Sequence, residues 1–134
     1  MKLIINILHC WKSIIITGGI LFLSFTSPST FNGVPTFENE DKLIHMIMYI
    51  GLTGALMLDF RQFAKHHKTT LLAFILICLA FPAFLGGAVE ILQPLYFAPR
   101  TGEWSDWFSD ITGVLIGLSG MRLIMPKSVK EYFK

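Results

Sequence analysis

Four apolar segments constrain the fold of this chain more than any other feature. They cover about residues 13–27, 43–58, 69–89 and 107–125, so each is 15 to 21 residues long. That is close to the length an α-helix needs to cross the hydrocarbon core of a bilayer. A spanning segment must satisfy its own backbone hydrogen bonds, and the period-two alternation of a membrane barrel is absent. The sequence therefore predicts an all-α membrane protein with four transmembrane helices.

The composition favours the membrane class over a soluble domain. Of the 134 residues, 53% are hydrophobic and 15% are charged, against roughly 25% charged residues in soluble domains. One soluble core of this size cannot bury so much apolar surface. A net charge of +2 without a basic, aromatic-rich cluster gives no indication of nucleic-acid binding. We treat residues 1–134 as one domain and expect the isolated Cys10 and Cys78 to be packing residues.

The first apolar segment has an alternative interpretation as a signal peptide. A basic start, an apolar stretch and small residues after it are typical of such a leader. However, SFTSPST has no A-x-A cleavage pattern, and the His before Cys10 does not suit a lipoprotein signal. We therefore predict a retained first helix.

Charged residues are distributed unevenly between the two ends of the predicted spans. Nine of the eleven basic residues share one side, namely Lys2, Lys12, Arg61, Lys65, Lys68, Arg122, Lys127, Lys130 and Lys134. Seven of the nine acidic residues share the other side, namely Glu38, Glu40, Asp41, Glu90, Glu103, Asp106 and Asp110, and only Asp59 and Glu131 lie on the basic side. The positive-inside rule then predicts that both termini are cytoplasmic.

Three polar residues follow one another at helical spacing in DKLIHMIMY, which opens the second segment. Asp41, His45 and Tyr49 are four residues apart, so they share one helix face. Asp41 suits a helix cap. An apolar helix has no need of the titratable ring of His45 one turn deeper. His45 is therefore a candidate functional residue.

Glu90 lies in the stretch GGAVEILQP at the end of the third segment. An ionised acid at the membrane centre disfavours insertion by about 2.5–3.5 kcal/mol, and by less near the interface. Because Glu90 precedes Pro94 by one turn, a side chain that only reaches the headgroups is the alternative. We favour a functional Glu90 that faces protein or water and shares its face with Gln93.

Arg100 and two acidic residues lie in and after the connection PLYFAPRTGEWSDWFSD. Arg100 suits an ion pair with Glu90 or an aspartate, or bidentate binding of an anionic headgroup. Asp106 and Asp110 are four residues apart at the start of the fourth helix. Either can interact with the helix dipole, but two acids exceed what capping requires.

Four spans of alternating direction bring these polar residues to one level of the membrane. The sequence therefore predicts a polar pocket at the outer leaflet. Its predicted residues are Asp41, Lys42, His45, Tyr49, Glu90, Gln93, Arg100, Asp106 and Asp110. A stripe of Gly113, Gly117 and Gly120 predicts close helix packing, which we assign to contacts within the chain rather than to a dimer.

The order and spacing of these residues resemble the VanZ-like family of small bacterial membrane proteins. The matching positions are Asp41, Lys42, His45 and Tyr49 in D-K-x-x-H-x-x-x-Y, Gly86, Glu90 and Gln93 in G-x-x-x-E-x-x-Q, then Arg100 and Asp106. Asp110 stands where the family usually has asparagine. The resemblance covers about residues 36–121 and implies a multi-pass protein of the bacterial cytoplasmic membrane. The founding member is associated with resistance to the antibiotic teicoplanin, a property that we do not transfer to this chain.

Two classes of function remain open. In the first, the pocket binds a membrane lipid, a cell-wall precursor or an envelope protein without catalysis. In the second, the chain is a small membrane enzyme acting on a lipid-linked substrate, with Glu90 or His45 as acid or base and Arg100 holding an anion. A transporter is less favoured because four short helices lack inverted repeats.

A divalent cation is the one cofactor that the pattern suggests. Its candidate ligands are His45, Glu90 and Asp106, which offer nitrogen and oxygen atoms. The acidic outer surface repels anionic substrates unless a metal or protonation neutralises it. This favours a metal or mutually hydrogen-bonded carboxyls over a bare phosphate site.

Overall fold

The computed structural model of the protein describes residues 10–31 and 39–124. Within these ranges the chain is helical and contains no strand, so the all-α prediction is confirmed. The helices are α1 (Trp11–Phe25), α2 (Glu40–Ala64), α3 (Leu71–Tyr96) and α4 (Trp104–Ile124). A short 3-10 turn, Pro28–Phe31, follows α1. Both termini and several residues used to predict orientation lie outside the described ranges: Lys2, Glu38, Lys127, Lys130, Glu131 and Lys134.

Helix α3 is longer than predicted because it continues through Pro94. Proline has no N–H, so the carbonyl of Glu90, four residues earlier, loses its helical donor. Gly102 packs against this carbonyl so closely that a Cβ atom would overlap it. Earlier in α3, a π-helical turn at Leu76–Ala80 ends just before Pro82. Such a turn accommodates a ring that lacks a donor without ending the helix.

Polar contacts at the two ends of the bundle fix the directions of the helices. At one end, Gln93 near the end of α3 donates to the carbonyl of Ser24 near the end of α1, at 3.0 Å. The first turns of α2 and α4 lie at this same end, which we call the site end. At the opposite end, Ser13 at the start of α1 bonds to Asp59 near the end of α2. The helices therefore alternate in direction along the chain, and α2 and α4 run parallel.

Glycines on α4 allow α2 and α4 to approach closely. A Cβ atom on Gly113 would overlap the carbonyl oxygen of Met46, and one on Gly117 would lie 2.9 Å from the Cβ of Thr53. A Cβ on Gly120 would meet nothing within 4 Å. Packing within the chain is thus confirmed for Gly113 and Gly117, and Gly120 lies outside this contact. The contact holds the side chains of α2 and α4 in a fixed register.

The surface of the bundle is strongly apolar. Its small core is the set Ile20, Tyr49, Leu52, Leu56, Met57, Phe60, Cys78 and Val114. Many large apolar side chains point outward instead, among them Phe22, Phe84 and Leu123. Exposed apolar surface on this scale marks an interaction with lipid or with another protein. By length and composition, two helices are able to cross a membrane, α2 (Glu40–Ala64) and α3 (Leu71–Tyr96).

Candidate functional site

His45, Glu90 and Asp110 meet at the site end of the bundle and form what we call the outer cluster. Each comes from a different helix, α2, α3 and α4 respectively. The Nδ1 atom of His45 lies 2.9 Å from Oδ1 of Asp110 and 4.0 Å from Oε1 of Glu90. One ligand atom from each residue lies within 4.8 Å of the other two. The sequence prediction that His45, Glu90 and Asp110 share a pocket agrees with this geometry.

Close contacts between α3 and α4 hold Asp110 against α3. A Cβ atom on Gly86 would lie 2.5 Å from Oδ2 of Asp110, so glycine leaves the space that the carboxylate needs. One turn earlier on α4, the indole Nε1 of Trp107 donates to the carbonyl of Ala83 at 2.9 Å. This bond fixes α4 on α3, which is a structural role beyond the interfacial anchoring typical of tryptophan.

The connection before α4 fixes one oxygen of Glu90. The backbone N–H of Glu103 donates to Oε2 of Glu90 at 2.7 Å. The close approach of Gly102 to the Glu90 carbonyl brings this connection within reach. Glu90 is therefore held at its carbonyl and at one carboxylate oxygen, which leaves Oε1 directed at His45.

Six buried side-chain oxygen atoms have no hydrogen-bond partner in the described part of the chain, and three of them belong to the outer cluster or to Tyr49, one turn below it. These three are Oε1 of Glu90, Oδ2 of Asp110 and the hydroxyl of Tyr49. Their residues are 5%, 0% and 1% exposed. A buried polar atom without a partner typically destabilises a protein by about 1–3 kcal/mol, so such atoms call for an explanation. Two of the three belong to acids whose other oxygen is already bonded.

Lys42 lies above the outer cluster, one turn toward the start of α2. Its Nζ is 3.7 Å from Oε2 of Glu103 and 3.8 Å from Oδ1 of Asp106. Since His45 and Asp110 are three and four residues further along the same two helices, the Lys42–Asp106 pair stacks on the His45–Asp110 pair. Asp106 thus lies one turn above the three residues that come together as candidate metal ligands.

Gln93 and Arg100 lie at the site end but contact α1 rather than the outer cluster. Nε of Arg100 donates to the carbonyl of Thr26 at 3.0 Å, and Nη2 donates to that of Leu23 at 3.2 Å. Gln93 donates to the carbonyl of Ser24. These are the terminal carbonyls of α1, which have no partner within their own helix. The predicted pocket therefore divides into the outer cluster and a cap on α1, and the guanidinium of Arg100 bonds to α1 carbonyls rather than to Glu90 or an aspartate.

Asp41 and Tyr49 occupy the two extremes of the predicted stripe on α2. Asp41 is exposed in the first turn of the helix, where a carboxylate favours the positive end of the dipole. Tyr49 is buried against α4, where its Cβ would lie 3.1 Å from a Cβ on Gly113. Only the middle residue of the stripe, His45, belongs to the outer cluster.

A second polar cluster lies at the opposite end of the bundle, and sequence reasoning missed it. Asp59 bonds through Oδ1 to Nζ of Lys12 at 3.0 Å. Its Oδ2 accepts from the backbone N–H and the hydroxyl of Ser13, at 2.9 and 2.6 Å. We call Lys12, Ser13 and Asp59 the inner cluster. The available signal was an aspartate inside an apolar stretch together with Lys and Ser at the start of another.

The donor atoms of the outer cluster suit a divalent cation. One imidazole nitrogen and two carboxylates form a mixed nitrogen and oxygen set, which first-row metals and zinc accept. Ligand atoms that share such an ion are about 3–4 Å apart, since each bond is about 2.0–2.2 Å long. The cluster atoms lie within 4.8 Å of one another, which is slightly wider than that spacing. The candidate metal ligands that the structure brings together are therefore His45, Glu90 and Asp110, whereas the sequence analysis proposed Asp106 as the third ligand.

Comparison with known proteins gives no further guide to this site. No protein-family model, no curated protein and no solved structure matches the chain. The resemblance to VanZ-like proteins therefore stays a prediction from the motifs alone.

Proposed function

We propose that the chain is a multi-pass protein of the bacterial cell membrane with four spans and cytoplasmic termini. The alternating helix directions and the outward apolar side chains support this topology. Lys12, Arg61 and Lys65 lie toward the opposite end of the bundle, so the positive-inside rule puts the site end outside the cell. A single cysteine placed at the exposed Ser105 should react with an impermeant maleimide on intact cells, whereas one at the exposed His67 should not.

Within this topology, we propose that the outer cluster binds a divalent cation at the level of the outer leaflet. The observation that carries the proposal is the convergence of two buried carboxylates and one imidazole, with an unpaired oxygen on each acid. Two acids buried so close together repel each other unless a cation or a proton lies between them. A cation bound beside His45 would give the unpaired Oε1 of Glu90 a partner and would offset the charge of Asp110. Through it, the pocket binds a membrane lipid, a cell-wall precursor or an envelope protein.

Calorimetric titration of Mn²⁺ and Zn²⁺ into the protein in detergent micelles tests this proposal. We expect one site per chain and a loss of affinity of at least about tenfold in His45→Ala, because the metal loses its nitrogen ligand. His67→Ala is the matched control, since the ring of His67 stacks on Phe63 far from the cluster. Absence of binding, or equal affinity in His45→Ala and His67→Ala, contradicts the proposal.

A small membrane hydrolase is the second candidate function, and the unpaired Oε1 of Glu90 favours it. In this reaction water adds to phosphorus while the bond to the leaving oxygen breaks, and Glu90 accepts the proton of the water. The bound cation offsets charge on the phosphoryl oxygens. Release of inorganic phosphate from farnesyl diphosphate by wild type with Mn²⁺, absent in Glu90→Gln and retained in Asp41→Asn, supports an enzyme. No release above the protein-free rate supports the binding function.

A further inference from the structure

We propose that the group recognised at the outer cluster is a phosphate, held jointly by the bound cation and by the ammonium of Lys42. The phosphate belongs either to a lipid headgroup or to a free phosphate ion. This inference rests on the proposed cation site and deepens it by naming the ligand chemistry and the second residue that binds it. It also moves the role of anion holder from Arg100 to Lys42.

Arg100 is engaged elsewhere. Its guanidinium donates through Nη2 to the carbonyl of Leu23 on the last turn of α1 and through Nε to that of Thr26, the residue after the helix. Turning toward the outer cluster would break both bonds and leave those carbonyls without donors. Arg100 is therefore a structural cap, and the anion needs another cation.

Lys42 has the position and the freedom that the role requires. It lies one turn above His45, and its side chain is 36% exposed. Its two ion pairs, at 3.7 and 3.8 Å, are longer than the roughly 2.7–2.9 Å of a strong charged hydrogen bond. One partner, Glu103, has a side chain that is 55% exposed, so this pair is weak and easily exchanged. The ammonium can therefore leave Glu103 for a phosphate at small cost while it stays beside the buried Asp106.

The cation supplies the other half of the phosphate site. His45, Glu90 and Asp110 offer three ligand atoms, whereas zinc takes four and other divalent ions take up to six or more. At least one coordination position then stays open for an outside oxygen, as in catalytic metal sites. The two carboxylates repel an anion on their own, so phosphate binding should require the metal.

The proposed phosphate position lies beside the N-terminal turns of both parallel helices, which carry Lys42 and Asp106. The first turns of α2 and α4 lie on either side of the Lys42–Asp106 pair. Helix N-termini favour anions because their free N–H groups and their dipole point toward the ligand. This contribution supports the site that Lys42 and the outer cluster form, and does not replace either.

The test is a titration of Mn²⁺-saturated protein in nanodiscs of zwitterionic lipid with soluble phosphate probes. The probes are dihexanoyl phosphatidic acid, inorganic phosphate and dihexanoylglycerol, which has the same acyl chains without phosphate. Wild type is compared with Lys42→Gln and with Lys65→Gln, a control at the exposed far end of α2. Mn²⁺ affinity is measured first in every sample.

We expect Lys42→Gln to lower the affinity for phosphatidic acid by about tenfold or more, because a charged hydrogen bond is lost. Lys65→Gln should match wild type, and each variant should still bind Mn²⁺. Phosphatidic acid bound more tightly than inorganic phosphate identifies a lipid headgroup, and equal binding identifies free phosphate; both outcomes support the inference.

Three results would overturn the inference while leaving the cation site intact. They are Mn²⁺ binding without phosphate binding, equal binding of phosphatidic acid and dihexanoylglycerol, and unchanged phosphate affinity in Lys42→Gln. Failure of wild type to bind Mn²⁺ is a different result, since it removes the proposed function itself.

Discussion

The two polar clusters differ in how completely their acids are paired. At the inner cluster, Asp59 is 2% exposed and both of its oxygens are bonded, to Lys12 and to Ser13. At the outer cluster, Glu90 and Asp110 are equally buried, yet each has one oxygen without a partner. Burial therefore does not separate structural acids from functional ones. The bonds of Asp59 hold α1 against α2, whereas the unpaired oxygens of the outer cluster support the proposed cation site.

The largest effect is expected from breaking the inner cluster. Asp59→Ala leaves the backbone N–H and the hydroxyl of Ser13 without their acceptor, and Lys12 keeps only its 3.4 Å bond to Gln62. We expect the free energy of unfolding to fall by about 3 kcal/mol, the lower part of the range for a broken buried ion pair, because Lys12 is partly exposed. Reversible unfolding in mixed micelles measures the change. A loss below about 1 kcal/mol would show that Asp59 contributes no more than a surface ion pair.

Cation binding should raise the free energy of unfolding, and it should do so only through the outer cluster. At a free Mn²⁺ concentration of 100 times the dissociation constant, the folded state gains about 2.7 kcal/mol by mass action. Asp59→Ala should gain the same increment from its lower starting stability, because the two clusters lie at opposite ends of the bundle. His45→Ala should gain almost nothing. Equal gains in all three proteins would place the metal elsewhere.

Removing the cap on α1 should have an intermediate effect. Arg100→Gln loses two charged hydrogen bonds to the carbonyls of Leu23 and Thr26, one of them exposed. We expect a loss of about 1–2 kcal/mol in unfolding free energy, since a net contribution of about 1 kcal/mol per bond is typical. Affinity for Mn²⁺ should stay within about twofold of wild type. A large loss of Mn²⁺ affinity would show that Arg100 contributes to cation binding at the outer cluster.

The smallest change in stability is expected at Asp110. In metal-free protein, Asp110→Asn removes a buried charge whose Oδ2 has no partner while keeping an acceptor for His45. We expect the unfolding free energy to change by less than about 1 kcal/mol. Mn²⁺ affinity should nevertheless fall by at least about tenfold, since an amide oxygen is a weaker ligand than a carboxylate. The combination of near-neutral stability with lost binding is the opposite of the result expected for Asp59→Ala.

Sequence reasoning predicted the helices and most of the outer cluster because both depend on local pattern. Apolar length indicated the helices, and the spacing of His45 and Tyr49 placed them on one face. Sequence reasoning did not show which of Asp106 and Asp110 is the candidate metal ligand. Both lie on the same face of α4, and the register between α2 and α4 depends on the contacts of Gly113 and Gly117.

Contacts between distant segments were harder to predict. Arg100 and Gln93 suited the pocket by position, but their donors reach the open carbonyls of α1. Asp59 was grouped with the charges of the inner side, whereas it accepts bonds from Ser13, 46 residues earlier. Pairings of this kind depend on how helices dock, and periodicity within one helix carries no information about them.

The most direct test of cation binding at the outer cluster is pulsed electron paramagnetic resonance on Mn²⁺-loaded protein. If His45 is a ligand, the spectrum of wild type shows nitrogen modulation from one imidazole. The modulation persists in His67→Ala. In His45→Gln, either the bound Mn²⁺ signal disappears or it lacks that modulation. Bound Mn²⁺ without nitrogen modulation in wild type, or with the same modulation in His45→Gln, would contradict the assignment of this site.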